Sequence, residues 1–165
     1  MRKYLIILLS VVSCNTTSKD NQHLKDSENI EKIELTATDS MAIKGFIQKS
    51  FNTPLHSLEH QQYLDSALTI QPDNAWLWQQ KAMPLYKARK YQLGKPFLEK
   101  AVEHDPKRWL DYSGFMNCIF SKDYLKSIAE FMRAKKEYGD NYVMDHTYNF
   151  YIGLNYLQLN QFTKA

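Results

Sequence analysis

The sequence predicts an all-α solenoid of stacked antiparallel helical hairpins, about three and a half of them over residues 39–165. Two observations predict it. First, two short runs recur at a fixed interval: Ala67-Leu-Thr-Ile-Gln-Pro72 and Ala101-Val-Glu-His-Asp-Pro106 hold both their alanines and their prolines 34 residues apart. A period of this length marks a supersecondary unit that buries its apolar face on its neighbours. Second, apolar residues recur at helical spacing between cap residues and helix breakers.

The chain opens on Met1-Arg-Lys, then an apolar run, then a small-residue exit at Ser13. That is the build of a secretory signal, and the run is too short to span a bilayer. Residues 1–13 are expected to be a lipoprotein signal peptide. Val11-Val-Ser-Cys14 resembles the bacterial lipobox. The resemblance implies that Cys14 is acylated as the first residue of the mature protein; several acyl chains anchor firmly where one is marginal. Asn15, standing where an aspartate would signal retention in enteric bacteria, points to the outer membrane. Residues 14–38 are polar and charged, with too little apolar area to offset their ordering entropy. They are expected to be a flexible tether, with Ile30, Ile33 and Leu35 leaving room for a short helix or strand.

Ser40 is the expected cap of a first helix that buries Ala42, Phe46, Ile47 and Phe51 and stops at Asn52-Thr-Pro54. A second helix is expected over 57–70, with Leu58, Tyr63, Leu64, Ala67 and Leu68 inward. Asp73-Asn74 caps a third over 75–88, where Pro84 removes one hydrogen bond and should kink the helix. A fourth covers 91–104; its Pro96 is milder, lying near the first turn. The next hairpin is expected to start at Trp109, with Tyr124 opening its second helix and Gly139-Asp-Asn141 closing it. Tyr91 and Tyr124 are 33 residues apart, one short of the period, so the turn before Tyr124 is expected to be tightened. After a connector over 140–145 comes a last helix from Tyr148, whose partner has barely begun at Ala165. The expectation is a helical-repeat domain over 39–165 that is a piece of a longer one; the alternative is a last helix paired with another chain.

Residues 74–106 resemble a tetratricopeptide repeat (TPR). Trp78 stands at the family's early tryptophan, Ala82 at its small first-helix residue and Tyr91 at its turn tyrosine. Gly94 stands at the small residue of the second helix, Ala101 at the late alanine and Pro106 at the closing proline. Ile152-Gly153, Tyr156, Phe162 and Ala165 repeat the pattern. Two positions depart from it: Lys81 replaces a leucine and Leu85 a tyrosine. The resemblance covers roughly residues 41–165 and implies a right-handed, TPR-like solenoid whose first helices line a concave groove. It places Trp78, Ala82, Leu98, Ala101, Ile128, Phe131, Ile152, Gly153 and Tyr156 in the core. In the groove it places Trp76, Gln79, Met83, Tyr86 and Lys87, then Ser113, Asn117 and Phe120, then Phe150 and Leu154.

Charge and chemistry narrow the functions. There are 21 Lys and Arg against 18 Asp and Glu, and 19 against 18 once Arg2 and Lys3 are set aside. No basic face for nucleic acid is expected. Cys118 has no disulfide partner once Cys14 is acylated, and its apolar helical setting with Phe115 and Ile119 makes it a structural thiol. His56-Ser-Leu-Glu-His60 spells H-x-x-E-H, the inverted zinc-peptidase motif, and Glu137 lies 77 residues beyond His60 as a third ligand. Two stacked hairpins would hold Glu137 about 20 Å from His60, whereas a zinc ligand must approach to about 2 Å. A solvated helix face with one tucked histidine is expected instead. No glycine-rich phosphate loop, nucleophile elbow or carboxylate pair stands out, so no catalytic residue, metal or cofactor is expected.

The expected function is a membrane-anchored, non-catalytic scaffold that holds a peptide or another envelope protein in its groove, with Trp, Tyr and Met as the anchors. The alternative is a glycan-binding outer-membrane lipoprotein of a carbohydrate-uptake system. Some of those are built on TPR-like helices, and an exposed Trp76 or Trp109 would be the sugar platform. They are longer, however, and bind sugar on inserted loops that this chain lacks.

Overall fold

The computed structural model describes residues 34–165, and over them the chain is all-α. The expected signal peptide, Cys14 and most of the expected tether lie outside the described residues. The helices are α1 (Ala37–Phe51), α2 (Leu58–Ile70), α3 (Ala75–Lys87), α4 (Tyr91–His104), α5 (Pro106–Met116), α6 (Tyr124–Tyr138) and α7 (Tyr148–Gln158). A π-helical turn, Asn117–Ser121, continues α5. The expected connector before α7 is instead a small antiparallel ribbon, β1 (Tyr142–Val143) and β2 (His146–Thr147), with Tyr142 opposite Thr147.

Side-chain caps set the helix starts. Thr36, not Ser40, caps α1: its hydroxyl accepts from the Asp39 N–H at 3.1 Å, and Asp39 accepts from the Thr36 N–H at 3.0 Å. This reciprocal pair satisfies two N–H groups that a helix start leaves open, so the helix begins two residues before the expected domain boundary. Ser57, Asn74, Asp123 and Thr147 each cap their helix by accepting one backbone N–H. Leu58, expected inside, is the first residue past the Ser57 cap and points into solvent.

Asp105 serves two helices. Its N–H donates to the Ala101 carbonyl at the end of α4, and its carboxylate accepts from the Arg108 N–H at the start of α5. Pro106 occupies the first position of α5, where no N–H is needed. The third hairpin therefore begins at Pro106, ahead of the expected Trp109.

The turn before Tyr124 is one residue shorter than the one before Tyr91, residues 122–123 against 88–90. Arg89 and Lys122 both adopt the left-handed conformation, each with φ of 59°, and each lies two residues before its tyrosine. A second irregularity lies just upstream, in the five-residue π-turn Asn117–Ser121. Pro84 leaves the Gln80 carbonyl without its usual N–H partner. One residue further on, the Lys81 carbonyl accepts from Gln61 Nε2 of α2 at 3.4 Å.

Consecutive helices pack on one another, and the core falls into clusters that share helices in order. Ile43, Leu64, Ala67, Leu68 and Leu77 join α1, α2 and α3. Ala82, Tyr86, Leu98, Ala101, Trp109 and Met116 join α3, α4 and α5. Leu110, Cys118, Phe131, Ala134, Tyr148 and Tyr151 join α5 and its π-turn to α6 and α7. Helices α3 and α5 thus each feed two successive clusters, which is why neither has a fully polar face.

Candidate interaction face

Aromatic side chains of the odd-numbered helices meet along one seam. Phe51 at the end of α1 meets Trp76 of α3 edge-on at 6.3 Å. Farther along α3, Met83 accepts on Sδ from the Tyr112 hydroxyl of α5 at 3.2 Å. Tyr112 packs on Phe115 at 6.2 Å, and Phe115 meets Phe120 at 5.8 Å and Tyr151 of α7 at 5.7 Å. Tyr151 meets Phe150 edge-on at 5.5 Å, and His146 of β2 stacks on Phe150 at 3.9 Å. Edge-on and offset rings at these separations attract beyond their area burial. The seam is therefore rigid, yet it remains partly open: Phe120 is 37% exposed and Phe150 47%.

The predicted groove residues divide into two sets. Trp76 and Met83 are half-buried members of the seam, Leu154 is half-buried beside it, and Lys87, Phe120 and Phe150 are exposed. Gln79, Tyr86, Ser113 and Asn117 are buried and offer nothing to a partner. Gln79 Oε1 accepts from the neighbouring Gln80 amide at 2.7 Å; burial raises the Tyr112 phenol, and the nearby Gln79 amide opposes that rise. The Tyr86 ring is wedged under Gly94 and against Tyr91, with ring centroids 5.6 Å apart. Burial, and then the nearby charges of Glu130 and Glu99, push the Tyr86 phenol far above its ordinary range.

Asn117 and Ser113 are withdrawn for a different reason: they hold a carboxylate. Asn117 Nδ2 donates to Glu130 Oε2 at 2.8 Å, the Ser113 hydroxyl donates to Oε1 at 3.0 Å, and the Ser121 hydroxyl donates to Asn117 Oδ1 at 2.9 Å. The π-turn puts Asn117 and Ser121 within reach of each other. Burial raises the Glu130 carboxyl, against the opposing pull of these hydrogen bonds. Nothing in the sequence marked Glu130 as half-buried, because it lies among the charged residues of α6.

The other candidate sites resolve as follows. His60 is buried with Nδ1 2.8 Å from the Ser50 carbonyl, so Nδ1 donates, while His56 is exposed. Glu137 is paired with Arg133 at 2.9 Å. Among the described residues, no three His, Cys, Asp or Glu side chains gather as metal ligands. Cys118 is a buried free thiol, raised by burial. Trp109 is 8% exposed and cannot stack a sugar. On the side of the second helices, a hollow of about 270 Å³ between α4 and α6 holds Val102, Leu110 and Ala129. Its rim charges are paired, Lys126 with Glu99 and Arg133 with Glu137.

Sequence inspection missed Tyr112, Tyr151 and His146 as members of the seam. Tyr112 was legible in principle, since Trp109, Tyr112 and Phe115 repeat every three residues on α5. His146 was not, because a ribbon brings it to Phe150. Comparison with protein-family models, with curated proteins and with solved structures finds no match.

Proposed function

We propose that this chain is a non-catalytic interaction scaffold, a right-handed TPR-like solenoid that holds an extended peptide or a partner protein against the seam of its odd-numbered helices. The observation that carries the proposal is the half-open aromatic run from Trp76 through Met83, Tyr112 and Phe115 to Phe120 and Phe150. Aromatic anchors held rigid by their neighbours lose little entropy on binding, the property that concentrates binding energy in a few residues. Core clusters that share α3 and α5 in order, together with the 34-residue period, support the solenoid. The lipobox-like Val11-Val-Ser-Cys14 supports an acylated, envelope-anchored protein.

Photocrosslinking in the native host tests this. A benzophenone side chain placed at Phe120 or Phe150 should capture one defined partner. The same group at Met132, which is 47% exposed on α6, should not. Equal capture at all three positions would remove the support for a specific face.

A further inference from the structure

The turns that join odd to even helices form a row along one edge. Leu55, His56 and Ser57 before α2 share a hollow with Pro84, Leu85, Ala88 and Lys90 around the end of α3. The next pair is tied by Lys95 to Asp123 at 2.6 Å, with the Tyr91 and Phe120 rings 6.5 Å apart. The Tyr124 hydroxyl then donates to Gln158 Oε1 at 3.4 Å, linking the start of α6 to the end of α7.

Cations and exposed apolar side chains crowd this edge, with Glu59 in the first turn of α2 as an exposed carboxylate at one end. Lys87, Arg89, Lys90 and Lys122 are exposed, and none forms an ion pair among the described residues. The carboxylate just after the π-turn, Asp123, is already held by Lys95. On the same edge, Leu58, Leu93 and Leu125 lie in the first turns of α2, α4 and α6, and each is more than half exposed, as is Phe162. Side chains in a helix lean toward its N-terminus, so these leucines lean toward the turn edge.

We propose that this turn edge is a membrane-contact surface that lies on an anionic lipid bilayer, whether or not Cys14 carries lipid. Unpaired cations and exposed leucines on one edge match the two components of an interface: cations for anionic headgroups, apolar side chains for the headgroup–acyl boundary. An acidic peptide would pair with the cations but leave the leucines in water. Such an orientation sets the long axes of the helices across the bilayer plane; Trp76 and Phe150, near the starts of α3 and α7, lie at the ends away from the lipid, whereas Phe120 lies at the edge itself.

The test uses the full chain carrying Cys14→Ser, sedimented with phosphatidylcholine vesicles with and without phosphatidylglycerol. Sedimentation on phosphatidylcholine alone measures whatever residues 1–13 contribute. Added phosphatidylglycerol should increase binding, and added salt should reverse the increase. Charge reversal of all four cations (K87E, R89E, K90E, K122E) should weaken the phosphatidylglycerol-dependent part by at least about a hundredfold. Leu58→Ser with Leu125→Ser should weaken it too, with helical circular dichroism unchanged in both variants. The proposal is overturned if the folded charge-reversed chain binds phosphatidylglycerol as well as the parent. It is also overturned if soluble polyglutamate binds with the same charge dependence while the leucine variants bind vesicles normally; the occupant would then be an acidic protein.

Discussion

Gly94 of α4 lies directly over the ring of Tyr86 of α3: a Cβ built on Gly94 would come within 2.8 Å of Tyr86 Cδ2. The ring is 4% exposed and has nowhere to move. Gly94→Ala gains about 1 kcal/mol of helix propensity but overpacks the contact by about 1–3 kcal/mol. The expected result is a net loss of about 1 kcal/mol in denaturant unfolding. Gly45 of α1 has open space around its Cβ position, so Gly45→Ala should stabilise by up to about 1 kcal/mol. The opposite signs of two identical substitutions test the packing directly.

Lys81 stands where the pattern that residues 74–106 resemble carries leucine. Its side chain is 6% exposed, its stem is buried, and its ammonium pairs with Asp65 of α2 and lies 4.9 Å from the Phe97 ring centroid. Asp65→Ala would strand a nearly buried cation and should cost about 1–3 kcal/mol. Lys81→Met keeps the stem volume and removes the charge, so it should be neutral or stabilising. Thermal unfolding of both variants at one pH separates these outcomes.

Glu130 should make stability depend on pH. Burial raises its carboxyl above the ordinary value of 4.5, so the folded protein binds the proton more tightly than the unfolded chain. By linkage, its contribution is most favourable below 4.5 and is lost as pH rises through the raised folded value. Glu130→Gln retains a partner for Asn117 and Ser113 without the buried charge. The variant should be more stable than the parent at neutral pH, and the advantage should shrink on acidification. A parallel pH series of unfolding midpoints checks this.

Asn155 ties α7 to the helices before it. Its Nδ2 donates to the Ser127 hydroxyl at 2.8 Å, and that hydroxyl donates to the Gly114 carbonyl at 2.8 Å. Both side chains are fully buried. Asn155→Ala should cost about 1–3 kcal/mol, because it removes a buried donor and leaves a void. Hydrogen exchange should place the loss in α7 before the rest of the chain.

The helical class and most helix bounds were legible because caps and breakers act locally: α4 covers 91–104, as its sequence predicts, and α3 ends one residue short of its expected end. The errors fall where neighbouring caps compete or where distant parts decide. Thr36 outcompeted Ser40 as a cap only because Asp39 could return the hydrogen bond. Asp105 merged two helix ends that looked separate. Helical spacing put Tyr86, Gln79 and Asn117 on the same face as Met83, but spacing does not say how closely α3 and α5 approach. Once Tyr112 bonds Met83, the residues behind them are sealed. Asn117 keeps the α-helical phase of α5, its N–H donating to the Ser113 carbonyl, and is withdrawn because its side chain holds Glu130.

The most direct measurement of the central claim is the affinity of the partner captured at Phe120 or Phe150 for purified variants of this chain. Hot-spot anchors cost at least about 2 kcal/mol each, so Phe120→Ala with Phe150→Ala should weaken binding more than about tenfold. Met132→Ala, on α6, should leave binding unchanged at equal stability. If Met132→Ala weakens binding and the phenylalanine pair does not, the partner binds the second helices and the aromatic seam is only core.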